Sequence, residues 1–256
     1  MANKCAVIGD SCIDKYIYGV CDRICPEGPV PVLSVQSFTE APGMAANTHA
    51  NAKVFWQNEV DLITNDSDMV RKIRYVDSKT NQLLLRVDVN DTVPRVNHDL
   101  HSFHRIFSEY SCIIVSDYCK GFLVDNDIAH IGHSAPLTVL DTKRKLTREM
   151  IEGYTFVKLN QQEFENNADI VDKNTIKKFI ITKGSEGVMW NEKEFPPPVV
   201  LQTFDVSGAG DVFTAAFTYS IQYSNTVEKS ISYAQECCNK VIRKRGTCVY
   251  ENSCMD

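Results

Sequence analysis

The segment CIIVSDYCKGFLVDNDIAHIGHSAPLTVL, residues 112–140, runs from one apolar stretch through a glycine-containing loop and a helical pattern into a second apolar stretch. Strands are expected at Cys112 to Val115 and Leu137 to Leu140, with a helix near Asp125 to Gly132 between them. Short continuous apolar runs of this kind suit strands buried on both faces, and alternation with helices predicts a parallel sheet with crossover helices. The pattern extends both ways. A helix near Asn97 to Glu109 precedes it, Thr155 to Leu159 and Phe179 to Thr182 add strands, and Gly187 to Trp190 adds an antiparallel one. Two helices close the chain, one from near Ala209 and one over about Val227 to Lys244. At the other end Lys4 to Ile8, ending in Gly9-Asp10, reads as a central parallel strand opening into a loop. The fold class is α/β.

Two regions depart from this pattern. Lys15 to Ser37 carries Tyr16, Tyr18, Val30, Val32, Leu33 and Val35 among Gly and Pro, and Gln82 to Val89 alternates in the same way. Being turn-rich and half-apolar, they predict short strands outside the main sheet, a small β lid drawn from about 14–38 and 70–90 over a larger body. The reading is thus one domain, 1–256, without repeat, low-complexity tract or linker, although Pro196 to Pro198 marks a stiff connection.

With 256 residues the chain can bury a substantial core, and 43% hydrophobic against 23% charged residues places it among ordinary globular proteins. No apolar run approaches the ~20 residues of a membrane span, and MANKCAVIGD has neither the basic start nor the apolar stretch of a secretory signal, so a cytoplasmic location without membrane contact is expected. The ten cysteines are scattered through apolar segments without CxxC spacing and read as reduced core thiols. His98, His101 and His104 recur every third residue, but a solvated helix face accounts for them better than a metal site. A net charge of -6 disfavours nucleic acid as a partner. An anionic small substrate would need local cations, for which Lys15, Arg23, Arg86, Lys120, Lys143 and Lys183 are candidates.

Chemistry concentrates at Asp205-Val206-Ser207-Gly208-Ala209-Gly210-Asp211, where a loop becomes a helix. Glycines permit a turn with outward N–H groups, and the helix dipole adds positive potential, which together make an anion site. Fixed donors of this kind stabilise a transferring phosphoryl group, and Asp211 in the first turn can take a proton from an acceptor hydroxyl. Its ordinary weak basicity suffices, because proton removal comes late in a loose transition state. Taken alone, the same residues also make an ordinary turn with an Asp complementing the dipole. A dinucleotide fingerprint is disfavoured by Phe213 at the third glycine position, and no GxxxxGK[ST] sequence is present. Asn160 and Glu163 lie three residues apart, on one helical face where they could hold a hydrated Mg²⁺ or, equally, form a capping box. Thr182-Lys183-Gly184-Ser185-Glu186-Gly187 is a strand-to-loop segment that could approach a ligand or be a plain turn.

Together these stretches resemble the ribokinase-like (PfkB) carbohydrate kinases: Asp205 to Asp211 resembles their C-terminal signature, Asn160-Gln161-Gln162-Glu163 their NxxE motif, and Arg245-Gly246-Thr247 their closing segment. The opening is similar to D-glycero-D-manno-heptose 7-phosphate kinases. Asp14-Lys15-Tyr16, Pro26-Glu27-Gly28-Pro29-Val30-Pro31-Val32, Pro42-Gly43-Met44-Ala45-Ala46-Asn47, Gln82 to Asp88 and Ser116-Asp117-Tyr118-Cys119-Lys120-Gly121 carry that likeness. The resemblance implies a three-layer ribokinase-like body with a β lid, and a phosphotransferase using ATP and Mg²⁺ on an alcohol group. It implies Asp211 as base with Gly208, Ala209 and Gly210 as the phosphoryl cradle. Nucleotide would be bound by Asn160, Thr182, Lys183, Gly184, Gly187, Asp205, Gly208 and Gly210, and metal by Asn160 and Glu163. Sugar would be bound by Asp14, Gly43 and Asn47, and its phosphate by Arg86 and Lys120. A homodimer through the lid is expected as well.

The chain also departs from the pattern. Met44 stands where the family has the second glycine of a GG pair, the stretch from Asn58 to Val70 is short, and Gln235 replaces a usual Asn. No nucleotidyltransferase domain is expected to follow the kinase. A kinase for another sugar or a nucleoside, or a catalytically silent sugar- or nucleotide-binding homologue, are the alternatives.

Overall fold

The computed structural model describes residues 4–57, 59–66, 69–97, 106–199, 208–223, 225–242 and 249–250. In chain order its elements are β1 (Cys5–Gly9), β2 (Ser11–Ile24), β3 (Pro31–Met44), α1 (Ala45–Phe55), β4 (Val60–Thr64), β5 (Arg71–Asp77), β6 (Leu83–Val89), β7 (Cys112–Asp117) and α2 (Asp125–Gly132). There follow β8 (Leu137–Thr142), α3 (Arg148–Glu152), β9 (Phe156–Asn160), α4 (Gln161–Asn166), β10 (Phe179–Thr182), β11 (Val188–Trp190), β12 (Lys193–Phe195), α5 (Ala209–Gln222) and α6 (Val227–Val241).

The main sheet has eight strands in the order β12-β11-β10-β9-β8-β7-β1-β4. β4, β1, β7, β8, β9 and β10 are parallel to their neighbours, and β11 and β12 add an antiparallel margin. Alternation along the strands sorts side chains into two cores. Ala6, Ile8, Ile113, Val115, Leu140, Val157 and Leu159 face one, which takes Ile128 and Ile131 of α2 and Met150 and Ile151 of α3. Cys5, Val7, Cys112, Ile114, Val139, Phe156 and Ile180 face the other, which takes α1, α5 and α6 through Phe55, Phe213, Phe217, Ile231 and Ala234. Helices on both faces of a parallel sheet form the expected three layers. The loops after β1, β7, β8 and β9 all leave the sheet at its carboxyl edge, the side on which open α/β sheets bind ligands.

A second sheet, β3-β2-β5-β6, forms the lid. Its β2 and β3 are long, fourteen residues each, where short strands were expected. Irregularities at Tyr18/Gly19 and Cys21/Arg23 absorb the breaks, and Pro31 stands at the first residue of β3, where no ladder donor is lost. The chain passes from β4 at the edge of the main sheet to lid strand β5 within a few residues.

Neither α1 nor β4 was anticipated. The buried face of α1 carries Asn47, Thr48 and Asn51 beside Ala45, Ala52 and Phe55, so it has no apolar stripe to read. Of the helix expected near Asn97 to Glu109, Ile106 and Phe107 are helical, while 98–105, with the three histidines, lie outside the described residues, as do Asp205 and Arg245 to Thr247. All described cysteines are free: Cys5, Cys12, Cys112 and Cys237 are buried core thiols, Cys21, Cys25 and Cys238 are half-buried, and Cys119 is exposed. Among the described residues no helix is long and apolar enough to cross a membrane.

Candidate active site

Gly208 adopts a left-handed conformation, φ 82°, as N-cap of α5, turning the incoming chain onto the helix axis. The first intrahelical donor is the Val212 N–H, to the Gly208 carbonyl at 3.1 Å, so the N–H groups ahead of it have no acceptor within the helix. Gly208, Ala209 and Gly210 are half-exposed, and Asp211 behind them is buried at 3% exposure.

The Asp211 carboxylate accepts three side-chain hydrogen bonds. Asn47 Nδ2 donates to Oδ2 at 2.7 Å, and Tyr118 Oη and Thr48 Oγ1 donate to Oδ1 at 2.8 and 3.2 Å. Burial pushes its pKa up to about 6 and the nearby Asp141 charge adds to this, against the Asn47 and Tyr118 hydrogen bonds and the Lys158 charge. Asp211 is therefore a stronger base than the ordinary Asp assumed from sequence.

Lys158, in β9, was missed by sequence reasoning. Its Nζ pairs with Asp141 Oδ2 at 2.9 Å, and a Cβ built on Gly210 would lie 3.0 Å from it. Burial lowers its pKa, but the Asp141 carboxylate more than offsets this and the ammonium stays charged. Thr214 Oγ1 fixes the same Asp141 oxygen at 2.8 Å. A cation thus sits against the glycine turn, where phosphoryl charge would gather. The available signal was a lysine interrupting an apolar strand directly before Asn160.

Asn160 and Glu163 do form a reciprocal capping box on α4: Glu163 N–H donates to Asn160 Oδ1 at 2.8 Å, and Asn160 N–H to Glu163 Oε2 at 2.7 Å. Burial raises the Glu163 pKa, with Lys158 and Lys143 pulling it back, so the carboxylate lies within the field of both lysines. Thr182 Oγ1 donates to the Leu159 carbonyl at 3.4 Å. Lys183 pairs with Glu194 at 3.0 Å and Glu186 at 3.4 Å, over a short 3-10 turn spanning Gly184–Glu186 before Gly187.

On the lid side Asp14, 4% exposed, pairs with Arg74 from β5. Gly43 allows this: a Cβ there would come within 2.4 Å of Asp14 Oδ2 and 2.6 Å of Cys12 Sγ. Met44 follows with φ 61° and ψ -133°, backbone that favours glycine, while its side chain is 3% exposed and joins the body core beside Cys12 and Val70. Its bulk is accommodated within the core cluster. A cavity of about 280 Å³, lined by Cys12, Ile13, Glu40, Ala41, Pro42 and Ala46, opens between β2, β3 and the start of α1.

The two cations assigned to a substrate phosphate are already engaged. Arg86 makes a bidentate contact with Asp88 at 2.7 and 2.8 Å, and Lys120 pairs with Asp91 at 2.5 Å. Two others flank Tyr118, whose hydroxyl meets Asp211: Lys72 Nζ is 5.0 Å and Lys143 Nζ 4.5 Å from the centroid of its ring. The structure therefore gathers Asp14, Gly43, Asn47, Tyr118, Lys158 and Asp211 around one locus and leaves Lys183 in a surface ion-pair cluster.

Fold and site define an α/β architecture of the ribokinase-like type with a buried carboxylate at a glycine-rich helix start. Residues 57–253 match the pfkB family carbohydrate kinases, and the chain belongs to that family. It is 29% identical to the bifunctional protein HldE of Erwinia tasmaniensis, over 94% of this chain and 60% of that protein. Against HldE of Helicobacter hepaticus the identity is 28%, over 98% and 62%. The chain thus spans about three-fifths of the length of these relatives. Among solved structures, ribokinase of Thermotoga maritima superposes with a TM-score of 0.71 at 15% identity, covering 95% of this chain and 94% of that one. Arabidopsis thaliana ribokinase complexed with ribose and ATP gives 0.70 at 14%, covering 96% and 94%.

Proposed function

We propose that this chain transfers the γ-phosphoryl group of ATP to a hydroxyl of a sugar phosphate, with D-glycero-D-manno-heptose 7-phosphate, converted to the 1,7-bisphosphate, as the leading acceptor. The observation that carries the reading is Asp211: a buried carboxylate with its pKa raised to about 6, in the first turn after the Gly208–Gly210 bend and beside the Lys158 cation. Asp211 takes the hydroxyl proton, while first-turn N–H groups and Lys158 stabilise the migrating phosphoryl group. Asp14, Gly43 and Asn47 hold the sugar hydroxyls. The nucleotide lies along Asn160, Thr182 to Gly187 and Gly208 to Gly210. The heptose assignment rests on the N-terminal motifs, and the likeness to the HldE proteins points the same way.

Mg²⁺ fits the donor chemistry. Glu163 uses one carboxylate oxygen in the cap and keeps the other, with Asn160 beside it, which suits an ion that takes one or two carboxylates and retains several waters. The ion would supply charge neutralisation to the nucleotide phosphates.

Closure of the lid over the sugar would exclude water as a competing acceptor. A homodimer through the lid and a cytoplasmic location belong to the same proposal. Ile24, Val35, Phe38, Leu83 and Leu85 of the lid are each more than half exposed, an apolar surface that a second subunit would cover.

ADP release measured with heptose 7-phosphate, neutral sugars and nucleosides tests the reading. Turnover with the sugar phosphate supports it. Nucleotide binding without turnover on any acceptor overturns it in favour of a silent binding protein.

A further inference from the structure

Lys72 and Lys143 come from different parts of the chain, Lys72 from lid strand β5 and Lys143 from the loop after β8. Both ammonium groups rest on the ring of Tyr118, and Lys72 is buried at 8% exposure while Lys143 is exposed. Among the described residues neither makes an ion pair, in contrast to Arg86 and Lys120. Burying an ammonium without a carboxylate is costly unless an anion arrives to meet it. Burial lowers the Lys72 pKa, Cys12 and Asp14 raise it, and the Lys143 and Arg86 charges lower it again. Of the carboxylates near the two lysines, Asp14 is already paired with Arg74, and Glu163 lies on the Lys143 side, so neither ammonium is matched by a carboxylate of its own. The donor side has its own cation, Lys158, at Gly210, and Lys72 stands on the lid strand that also carries Arg74, the partner of Asp14.

We infer that Lys72 and Lys143 form an anion subsite for a phosphate already carried by the acceptor, set one tyrosine ring away from the Asp211 base. The inference rests on the kinase reading and sharpens it: the existing phosphate lies on a carbon remote from the hydroxyl that reacts. Tyr118 is the positioning residue between them, its ring carrying the two ammonium groups and its hydroxyl holding Asp211 Oδ1.

Equilibrium binding by calorimetry on the Asp211→Asn protein, without turnover, tests this with heptose 7-phosphate, the unphosphorylated heptose and a non-hydrolysable ATP analogue as separate probes. The expected result is a clear preference for the phosphorylated sugar that falls roughly 10- to 100-fold in Lys72→Met and in Lys143→Met. Lys72→Arg should keep most of it. Lys143 is exposed, so its variant tests the subsite even if Lys72→Met folds poorly. Equal affinity for the two sugars, or a loss confined to the ATP analogue, overturns the inference. Because the probes are read by binding, this failure is separable from an absence of ADP release, which would instead sink the kinase reading.

Discussion

Asn47 Nδ2 donates to Asp211 Oδ2 at 2.7 Å across 164 residues of sequence, tying the start of α1 to the start of α5. The bond joins an expected sugar ligand directly to the expected base. With Tyr118 and Thr48 on the other oxygen, it holds the carboxylate in one orientation while burial raises its proton affinity. A carboxylate so placed is oriented before any substrate arrives, and its basicity comes from its surroundings.

The acid limb of catalysis follows from this. As the proposed base Asp211 would act when ionised, and its pKa is raised to about 6 chiefly by burial. A profile of kcat/KM against pH should therefore fall tenfold per unit below about 6. A limb near the ordinary Asp value, about 4, would place the base in a more solvated setting than the one described.

The same shift predicts a pH-dependent cost to stability. A carboxyl whose folded pKa lies above its unfolded value binds more protons when folded, so stability falls as pH rises between the two values. For Asp211 the window runs from 3.8 to about 6. Unfolding free energies of wild type and Asp211→Asn should diverge across that window, in the variant's favour, by roughly 2–3 kcal/mol and stay parallel above it. Parallel curves throughout would contradict the raised pKa.

Met44 offers a backbone test. Truncating a buried Met costs about 2–5 kcal/mol, whereas relieving a strained left-handed residue returns about 1–3 kcal/mol. Met44→Ala incurs the loss and keeps φ 61°, while Met44→Gly incurs a similar loss and relieves the strain. Chemical denaturation should find the Gly variant more stable than the Ala variant, by about 1–2 kcal/mol, the reverse of the usual order within a helix or strand.

Lys158→Met removes one partner of a largely buried ion pair, its Asp141 partner being 2.9 Å away. The expected cost is about 3–5 kcal/mol in unfolding free energy. The acid limb of the rate profile should also move to higher pH, because Lys158 lowers the Asp211 pKa and the unpaired Asp141 raises it. A stable variant with an unmoved limb would separate Lys158 from the site.

Much of the body was legible because its central strands are buried on both faces and read as apolar runs: α2 falls on the expected Asp125 to Gly132, and β10 on Phe179 to Thr182. α1 was not legible, since its buried face is polar and serves the site through Asn47 and Thr48. The length of β2 and β3 was hidden by glycine and proline, which read as breaks and are absorbed as bulges and a strand start. In the site, Asp211 and its glycines were marked by local pattern. Lys72, Lys158 and Tyr118 matter only through partners distant in sequence, as with Tyr118 and Asp211, 93 residues apart, and no local spacing announces such contacts.

Asp211→Asn, assayed for ADP release with heptose 7-phosphate and for nucleotide affinity, tests the central claim most directly. The variant should fold, bind nucleotide as wild type does and turn over at least ~10²–10⁴-fold more slowly. Turnover near the wild-type rate would contradict the assignment of this carboxylate as the base.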